Sequence, residues 1–501
     1  MAEERKERER ENVVIFPFMA QGHIIPFLAL ALRIERRKGY SITFLNTPLN
    51  IAKLRSSLPL GSSSIRLLEI PFTSSDHGLP PNSENTDVLP YCHVIRLIEA
   101  STTLRPSFEK ILRDLIDENN GRKPLCVVAD IFFGWTTTVA KELGIFHAVF
   151  SGCSGFGLAC YYSLWLNLPH RKVDSDEFSL PDFEEAPTIH VSQLPLNIFE
   201  ADGEDPWSKF QKGNLSAWVD SNGVLFNTIR DFDHLGLLYF RRKLNRPVWP
   251  IGPVLLPSES RPYVGKQNGQ TSELCREWLN SKPLNSVLFV SFGSMNTISA
   301  SQMMQLAMAL EKSSKNFIWV VRPPIGFDIN SEFRAQEWLP RGFEESVSSR
   351  GLLVHNWAPQ VEILSHEAVS AFLTHCGWNS VLEALSNGVP LLGWPMAAEQ
   401  FYNSVLLENG IGVCVEVARG KKCEVRYEDL AGKIELVMSD SAKGKEMRRN
   451  ACEVKEMIKS AMKDENGLKG SSSEALDDFF SAAMVARRNI LEGCNIYGSN
   501  N

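Results

Sequence analysis

The sequence predicts an α/β protein of two halves, each built on a parallel sheet, facing one another across a cleft. Three observations carry this. Apolar, β-rich runs alternate with amphipathic helical stretches from residue 12 onward. The alternation breaks at a proline-rich segment, residues 246–270, and then restarts from a new strand and glycine turn at residue 286. Regular strand–helix alternation implies a parallel sheet with helices on both faces. Two such series imply two Rossmann-like domains, and ligands in such sheets bind outside the carboxyl ends of the strands.

The elements follow in order. "NVVIFPF" (12–18) is a strand and "MAQGHI" a turn. A helix then carries Phe27, Leu28, Ala31, Leu32 and Ile34 on an apolar face, with Pro26 suited to its first turn and Gly39 to its C-cap. "SITFLNT" (41–47), "LCVVADIFF" (125–133), "FHAVFS" (146–151) and "GVLFNT" near residue 223 continue the series as strands, with "GWTTTVAKELG" a helix between two of them. Pro247, Pro250, Pro253, Pro257 and Pro262 deny residues 246–270 a regular interior element, so this reads as a linker. The second series runs through "SVLFVSFGS" (286–294), the helix "ASQMMQLAMALEKS", and the strands "NFIWVVR" (316–322), "GLLVHN" (351–356) and "VPLLGWP" (389–395). The predicted organisation is a tail (1–11), a first domain (12–245), the linker, a second domain (271–471), a closing helix (472–488) and a last tail (489–501). Leu476, Phe479, Phe480 and Met484 give the closing helix an apolar face that packs back onto one of the domains.

Composition narrows the function classes. With 44% hydrophobic and 22% charged residues, the chain is an ordinary globular protein. Its formal net charge of −7, without a sustained basic block beyond the first residues, argues against nucleic acid as a partner. The ten cysteines stand singly, with no C-x-x-C pair, which argues against a zinc module or disulfide scaffold and suits a reducing compartment. "MAEERKERERE" has no apolar signal core and reads as a solvated tail, and no apolar run approaches the ~18 residues of a membrane span. A cytoplasmic monomer is expected.

The most informative stretch is "THCGWNS" (374–380), which joins a predicted strand to the helix "VLEALSNG". A helix start presents unpaired backbone N–H groups that favour anions. Gly377 lets the backbone approach closely, and His375, Asn379 and Ser380 can add hydrogen bonds, a set suited to phosphate or pyrophosphate. The competing reading makes Asn379 and Ser380 simple helix caps.

The context favours the anion. Residues 357–400, "WAPQVEILSHEAVSAFLTHCGWNSVLEALSNGVPLLGWPMAAEQ", resemble the signature box of plant family-1 UDP-glycosyltransferases nearly end to end. "PFMAQGHIIP", "HGLPPNSENTD" and "SFGS" are similar to that family too. The resemblance implies the GT-B arrangement, with UDP-glucose as co-substrate, an acceptor in the first domain and a closing helix that crosses back to it. It also implies roles for residues. Trp357 would stack on uracil, Ala358 would reach the base through its backbone, and Gln360 and Glu383 would bond the ribose. His375, Asn379 and Ser380 would hold the phosphates with Gly293 and Ser294. Trp378, Glu399 and Gln400 would surround the sugar, and a glutamine at position 400 favours glucose.

A base is expected from the first domain. His23 follows the first strand in "AQGH", and Asp130 ends the strand "LCVVAD". An imidazole with a pKa near 6.5 is mostly neutral at pH 7 and can accept a proton. A carboxylate behind it fixes its tautomer and stabilises the imidazolium. The resemblance assigns this pair as base and orienter, for a single displacement with inversion. The D-x-D triplets "DSD" (174–176) and "DFD" (231–233) lack the strand-end context of a metal site, so no metal is expected. Phe18, Phe132, Phe150 and Phe156 near strand ends are candidates for the pocket of a flat or lipophilic acceptor such as a phenol, flavonoid, terpenoid alcohol or hormone. A dehydrogenase would need a G-x-G-x-x-G turn, which "FMAQGHIIP" and "SGCSGFG" do not supply. A nucleotide-sugar epimerase or a silent UDP-sugar-binding protein on the same scaffold are the alternatives.

Overall fold

The computed structural model describes residues 10–57, 64–256, 268–465 and 467–498. Most of the expected first tail, the middle of the proline-rich segment and the last three residues therefore lie outside the described residues.

The first sheet contains β1 (Glu11–Phe16), β2 (Tyr40–Asn46), β3 (Arg66–Glu69), β4 (Cys126–Asp130), β5 (Phe146–Ser151), β6 (Gly223–Phe226) and β7 (Val248–Pro250). All are parallel, in the order β3-β2-β1-β4-β5-β6-β7. The second sheet contains β8 (Val287–Ser291), β9 (Asn316–Val321), β10 (Gly351–His355), β11 (Val369–Thr374), β12 (Leu391–Gly393) and β13 (Cys414–Glu416). It too is parallel, in the order β10-β9-β8-β11-β12-β13. Both sheets reverse strand order at a matching place. The chain builds outward on one side of β1 and then returns to lay β4 on the other, and β8 and β11 repeat the pattern. Neighbouring carboxyl ends diverge at such a switch point and leave a crevice there.

Five helices position the site: α1 (Gln21–Glu35), α2 (Gly155–Asn167), α3 (Trp378–Ser386), α4 (Gln400–Val405) and α5 (Ser471–Gly498). α1 departs from the sequence expectation. It starts at Gln21 rather than near Pro26, with Ala20 as an extended N-cap, and "AQGH" supplies its first turn. Pro26 therefore stands inside the helix. A proline there has no N–H for the carbonyl four residues back, which belongs to Gly22. The C-cap is Arg36 rather than Gly39. The proline-rich segment also opens with regular structure. β7 pairs with β6 at the sheet edge, with Val224 opposite Val248, and an edge is where a strand tolerates proline.

Strand periodicity explains the core. On β5, Phe146, Ala148 and Phe150 point to the face covered by α1 and α5, while Val149 points to the other. α5 returns to the first lobe. Leu476, Phe479, Phe480 and Ala483 are fully or almost fully buried there. Phe479 packs on Trp249 at a ring separation of 5.3 Å and on Phe146 at 6.0 Å. Its charged face is tied down by ion pairs from Arg487 to Glu11 and from Arg37 to Asp477. A further apolar cluster crosses the lobe boundary, joining Phe156 and Phe232 to Trp378, Phe401 and Tyr402.

Candidate active site

The crevice of the first sheet opens between the carboxyl ends of β1 and β4. His23 is the third residue of α1, and its Nδ1 lies 2.9 Å from Oδ2 of Asp130. Asp130 is fully buried, and its Oδ1 accepts the Phe132 N–H at 3.0 Å. A buried carboxylate here accepts a hydrogen bond from the Nδ1–H of a neutral imidazole and leaves the Nε2 lone pair available. The His23 side chain keeps 24% of its exposure, enough for a substrate to reach it. Burial disfavours the imidazolium, but the Asp130 charge and hydrogen bond, together with the Glu399 charge, outweigh it and raise the pKa above 6.5. Phe18 and Phe132 pack on the imidazole at ring separations of 5.6 and 5.2 Å.

The crevice of the second sheet opens between β8 and β11. Cys376, at φ +62°, turns the chain from β11 into α3, and Gly377 is the N-cap. His375 is wedged between two glycines. A Cβ on Gly293, itself at φ +77°, would lie 2.6 Å from the imidazole, and one on Gly377 only 2.3 Å from its Nε2. Burial lowers the His375 pKa to about 4, and the Lys421 and Arg322 charges act in the same direction. His375 is therefore neutral at pH 7 and offers a hydrogen bond rather than a charge. The positive charge belongs to the other two residues. Arg322 follows β9 and donates to the carbonyl of Ser294 and, at 2.7 and 2.9 Å, to that of Asn356. Sequence reasoning passed over both cations. Arg322 could have been found from its place at the carboxyl end of a strand, but "RGKK" around Lys421 gave no signal.

Gln360, Ser380 and Glu383 form one cluster, in which the Gln360 amide donates to Ser380 Oγ at 3.0 Å and to Glu383 Oε2 at 2.7 Å. Half-buried Trp357 and buried Ala358 lie just before it in the chain. Glu399 is the N-cap residue of α4, where burial raises its pKa and the His23 charge opposes that rise. The Gln400 amide oxygen accepts N–H groups of Met396 and Ala397 at 3.1 and 3.0 Å, which turns its NH2 outward. Asn379 reaches across the crevice, its amide donating to the Gly22 carbonyl at 3.0 Å.

Three expected residues sit elsewhere. The Trp378 indole is buried between the lobes and donates to the Asn227 carbonyl at 2.8 Å, so only its backbone belongs to the turn. Phe150 is fully buried against Phe27, on the α1 face of the sheet. Phe156 is buried against Phe183. These two phenylalanines are core rather than pocket, Phe150 because helices cover its face of the parallel sheet and Phe156 because α2 packs it inward on Phe183. Of the D-x-D residues, Asp174 and Asp176 are exposed, whereas buried Asp233 accepts the N–H groups of Gly155 and Phe156 and has its pKa raised by burial to about 7. Among the described residues no cluster of three or more His, Cys, Asp or Glu could hold a metal, and no helix is long and apolar enough to cross a membrane.

Comparison with known proteins agrees with this geometry. The family described as UDP-glucoronosyl and UDP-glucosyl transferase matches residues 251–453. UDP-glycosyltransferase 92A1 of Arabidopsis thaliana is 53% identical over 95% of this chain and 98% of its own length. Crocetin glucosyltransferase 3 of Crocus sativus is 42% identical over 86% of this chain and 91% of its own. The crystal structure of Glycyrrhiza uralensis UGT73P12, complexed with glycyrrhetinic acid 3-O-monoglucuronide, superposes with a TM-score of 0.82 at 29% identity, over 98% of this chain and 99% of that one. With two parallel-sheet lobes facing across the crevice that holds His23 and His375, the chain belongs to the plant family-1 UDP-glycosyltransferases and is a glycosyltransferase of the GT-B fold.

Proposed function

We propose that the enzyme transfers glucose from UDP-glucose to a hydroxyl of a small lipophilic acceptor, with inversion and without a metal. The observation that carries this reading is the contact across the crevice. Asn379, at the head of the diphosphate turn, bonds the residue next to His23, and Glu399 lies within electrostatic range of the same imidazole. Base, sugar carboxylate and anion seat thus address one gap.

The chemistry is a single displacement. The acceptor O–H gives its proton to His23 Nε2 as its oxygen attacks the anomeric carbon, and the bond from that carbon to the diphosphate oxygen breaks on the opposite face. Asp130 stabilises the imidazolium that forms. General-base help contributes typically ~10²–10⁴-fold, and the remainder comes from positioning and leaving-group stabilisation. Charge gathering on UDP meets the α3 N-terminus, the neutral His375 N–H, and Arg322 and Lys421 behind it. These groups supply the positive potential for which other sugar-nucleotide enzymes recruit a divalent ion. Uracil would stack on Trp357, and the Gln360–Glu383 pair would meet the ribose. Glu399 and the outward NH2 of Gln400 would bond the glucose hydroxyls.

Half-buried Phe132, packed on the base, supports a lipophilic acceptor, whereas Phe18 is buried behind it as core. The names of the crocetin glucosyltransferase and of the glycyrrhetinic acid complex point the same way. A cytoplasmic monomer fits this reading. The test is incubation with UDP-glucose, EDTA and a panel of phenols, flavonoids, terpenoid alcohols and hormones, with products read by mass and anomeric configuration by NMR. A β-glucoside formed in EDTA is expected. Turnover that EDTA abolishes and Mg²⁺ or Mn²⁺ restores would refute the metal-free mechanism, and an α-glucoside would refute inversion.

A further inference from the structure

Asn403 lies outside the residues that the sequence singled out, on α4 and one turn beyond Glu399. It is fully buried, as is Ser154, the N-cap of α2 in the other lobe. Its amide NH2 donates to the Cys376 carbonyl at 3.0 Å and approaches Glu399 Oε1 at 3.4 Å. Its amide oxygen accepts the Ser154 hydroxyl at 2.6 Å. Ser154 Oγ in turn accepts the Gly157 N–H at 2.8 Å.

The polarity of this cluster is forced. A carbonyl and a carboxylate can only accept, so the NH2 must face them. The Ser154 oxygen accepts from Gly157 and spends its one proton on Asn403. The first lobe has also cleared space for the amide. A Cβ on Gly157 would lie 2.2 Å from Asn403 Oδ1. The NH2 meets two parts of the donor site, the left-handed Cys376 that aims the diphosphate turn and the carboxylate of Glu399, the residue that precedes α4.

We propose that Asn403 is a positioning residue that fixes the Glu399 carboxylate and the Cys376 turn together and ties both to the first lobe through Ser154. The inference rests on the reading that Glu399 faces the donor sugar. The amide holds Glu399 in a sugar-binding rotamer, and docking of α2 holds the amide. Affinity for the sugar part of the donor therefore depends on a contact from the acceptor lobe, so the donor site reaches its full strength only with the lobes docked.

The experiment compares the binding of UDP-glucose and of UDP by calorimetry, without acceptor, in wild type, N403A, S154A, the N403A/S154A double variant and E399A. N403A is expected to weaken UDP-glucose about 10-fold or more, the scale of losing hydrogen bonds to charged groups, and UDP alone by a smaller factor, the part that comes from the Cys376 turn. S154A is expected to shift the same ratio by a smaller factor, and the double variant to be no worse than N403A, since both break one network. A wild-type ratio in folded N403A, or full additivity of the two substitutions, overturns the proposal. Should N403A fail to fold, a wild-type ratio in S154A overturns the cross-lobe tie. E399A separates the two readings. If it changes the ratio while N403A and S154A do not, the role of Asn403 fails alone. If it too leaves the ratio unchanged, the sugar role of Glu399 fails with it.

Discussion

The side-chain amide of Asn379 donates to the main-chain carbonyl of Gly22 at 3.0 Å, from the head of α3 in one lobe to the first turn of α1 in the other. Pro26 makes this possible. The carbonyl of Gly22 would ordinarily receive the N–H of residue 26, and proline has none. A helix defect in the first lobe thus becomes an acceptor for the second, one residue from His23.

Replacing Pro26 by Ala supplies an N–H that competes for that carbonyl. We expect kcat/KM to fall about 2- to 5-fold, the worth of one ordinary hydrogen bond, while the melting temperature does not fall, because the helix gains a bond. Steady-state kinetics beside a thermal melt checks this. An unchanged kcat/KM would remove the contact from the account.

Substitution of His23 by Ala is expected to lower kcat by about 10²–10⁴-fold and to leave UDP affinity within a factor of about two. In the wild type the base must be neutral, so activity falls as pH drops through its raised pKa. In D130N the charge that raises this pKa is gone, so the acid limb moves to lower pH and the plateau drops, because Asn no longer stabilises the imidazolium. A pH–rate profile for kcat/KM reads both effects. An acid limb that stays in place in D130N contradicts the pairing.

Gly293 and Gly377 leave room for the His375 ring and nothing more. G293A also forces a side chain into a left-handed backbone. Each substitution should displace the imidazole and weaken UDP about 10-fold or more, in line with overpacking costs of about 1–3 kcal/mol. Calorimetric titration with UDP decides it.

On the proposed reading, Arg322 and Lys421 add full positive charge to the α3 N-terminus and the neutral His375 in meeting the leaving diphosphate. R322M and K421M are each expected to lower kcat about 10-fold or more at saturating substrates, and neither loss should respond to added Mg²⁺. A variant with wild-type kcat would remove that cation from leaving-group stabilisation.

Phe479, fully buried on α5 between Trp249 and Phe146, belongs to the core of a lobe encoded more than two hundred residues earlier. F479A should destabilise the protein by about 3–5 kcal/mol, visible in denaturant unfolding. A change below about 1 kcal/mol would mean that the helix adds little to that core.

The strand–turn–helix grammar of the nucleotide lobe was readable because its residues are close in sequence. Thr374 to Ser380 contain the strand end, the turn and the helix start together. The ends of β1 and β4 were readable for a related reason, since strand carboxyl ends in a parallel sheet share an edge. Other features were hidden by distance or by the second face of the sheet. Pro26 suggested a helix start because proline favours first turns, but a tertiary contact from Asn379 accommodates it deeper in the helix. Phe150 looked like a pocket residue because it ends a strand, yet pleating turns it toward α1. Trp378 sits inside the most telling motif, but its indole serves the lobe boundary. Asn403 acquires meaning only through Ser154, 249 positions away, and no local pattern reports such a partner.

The return of α5 to the first lobe also constrains how the protein is made. A growing chain normally folds its leading domain while later residues are still being synthesised, at about 5–20 residues per second. Here the leading domain lacks Leu476, Phe479, Phe480 and Ala483 until the trailing domain has been translated. Its apolar flank stays open on the ribosome while the trailing domain emerges, so the part of the enzyme that begins first is the last to be finished.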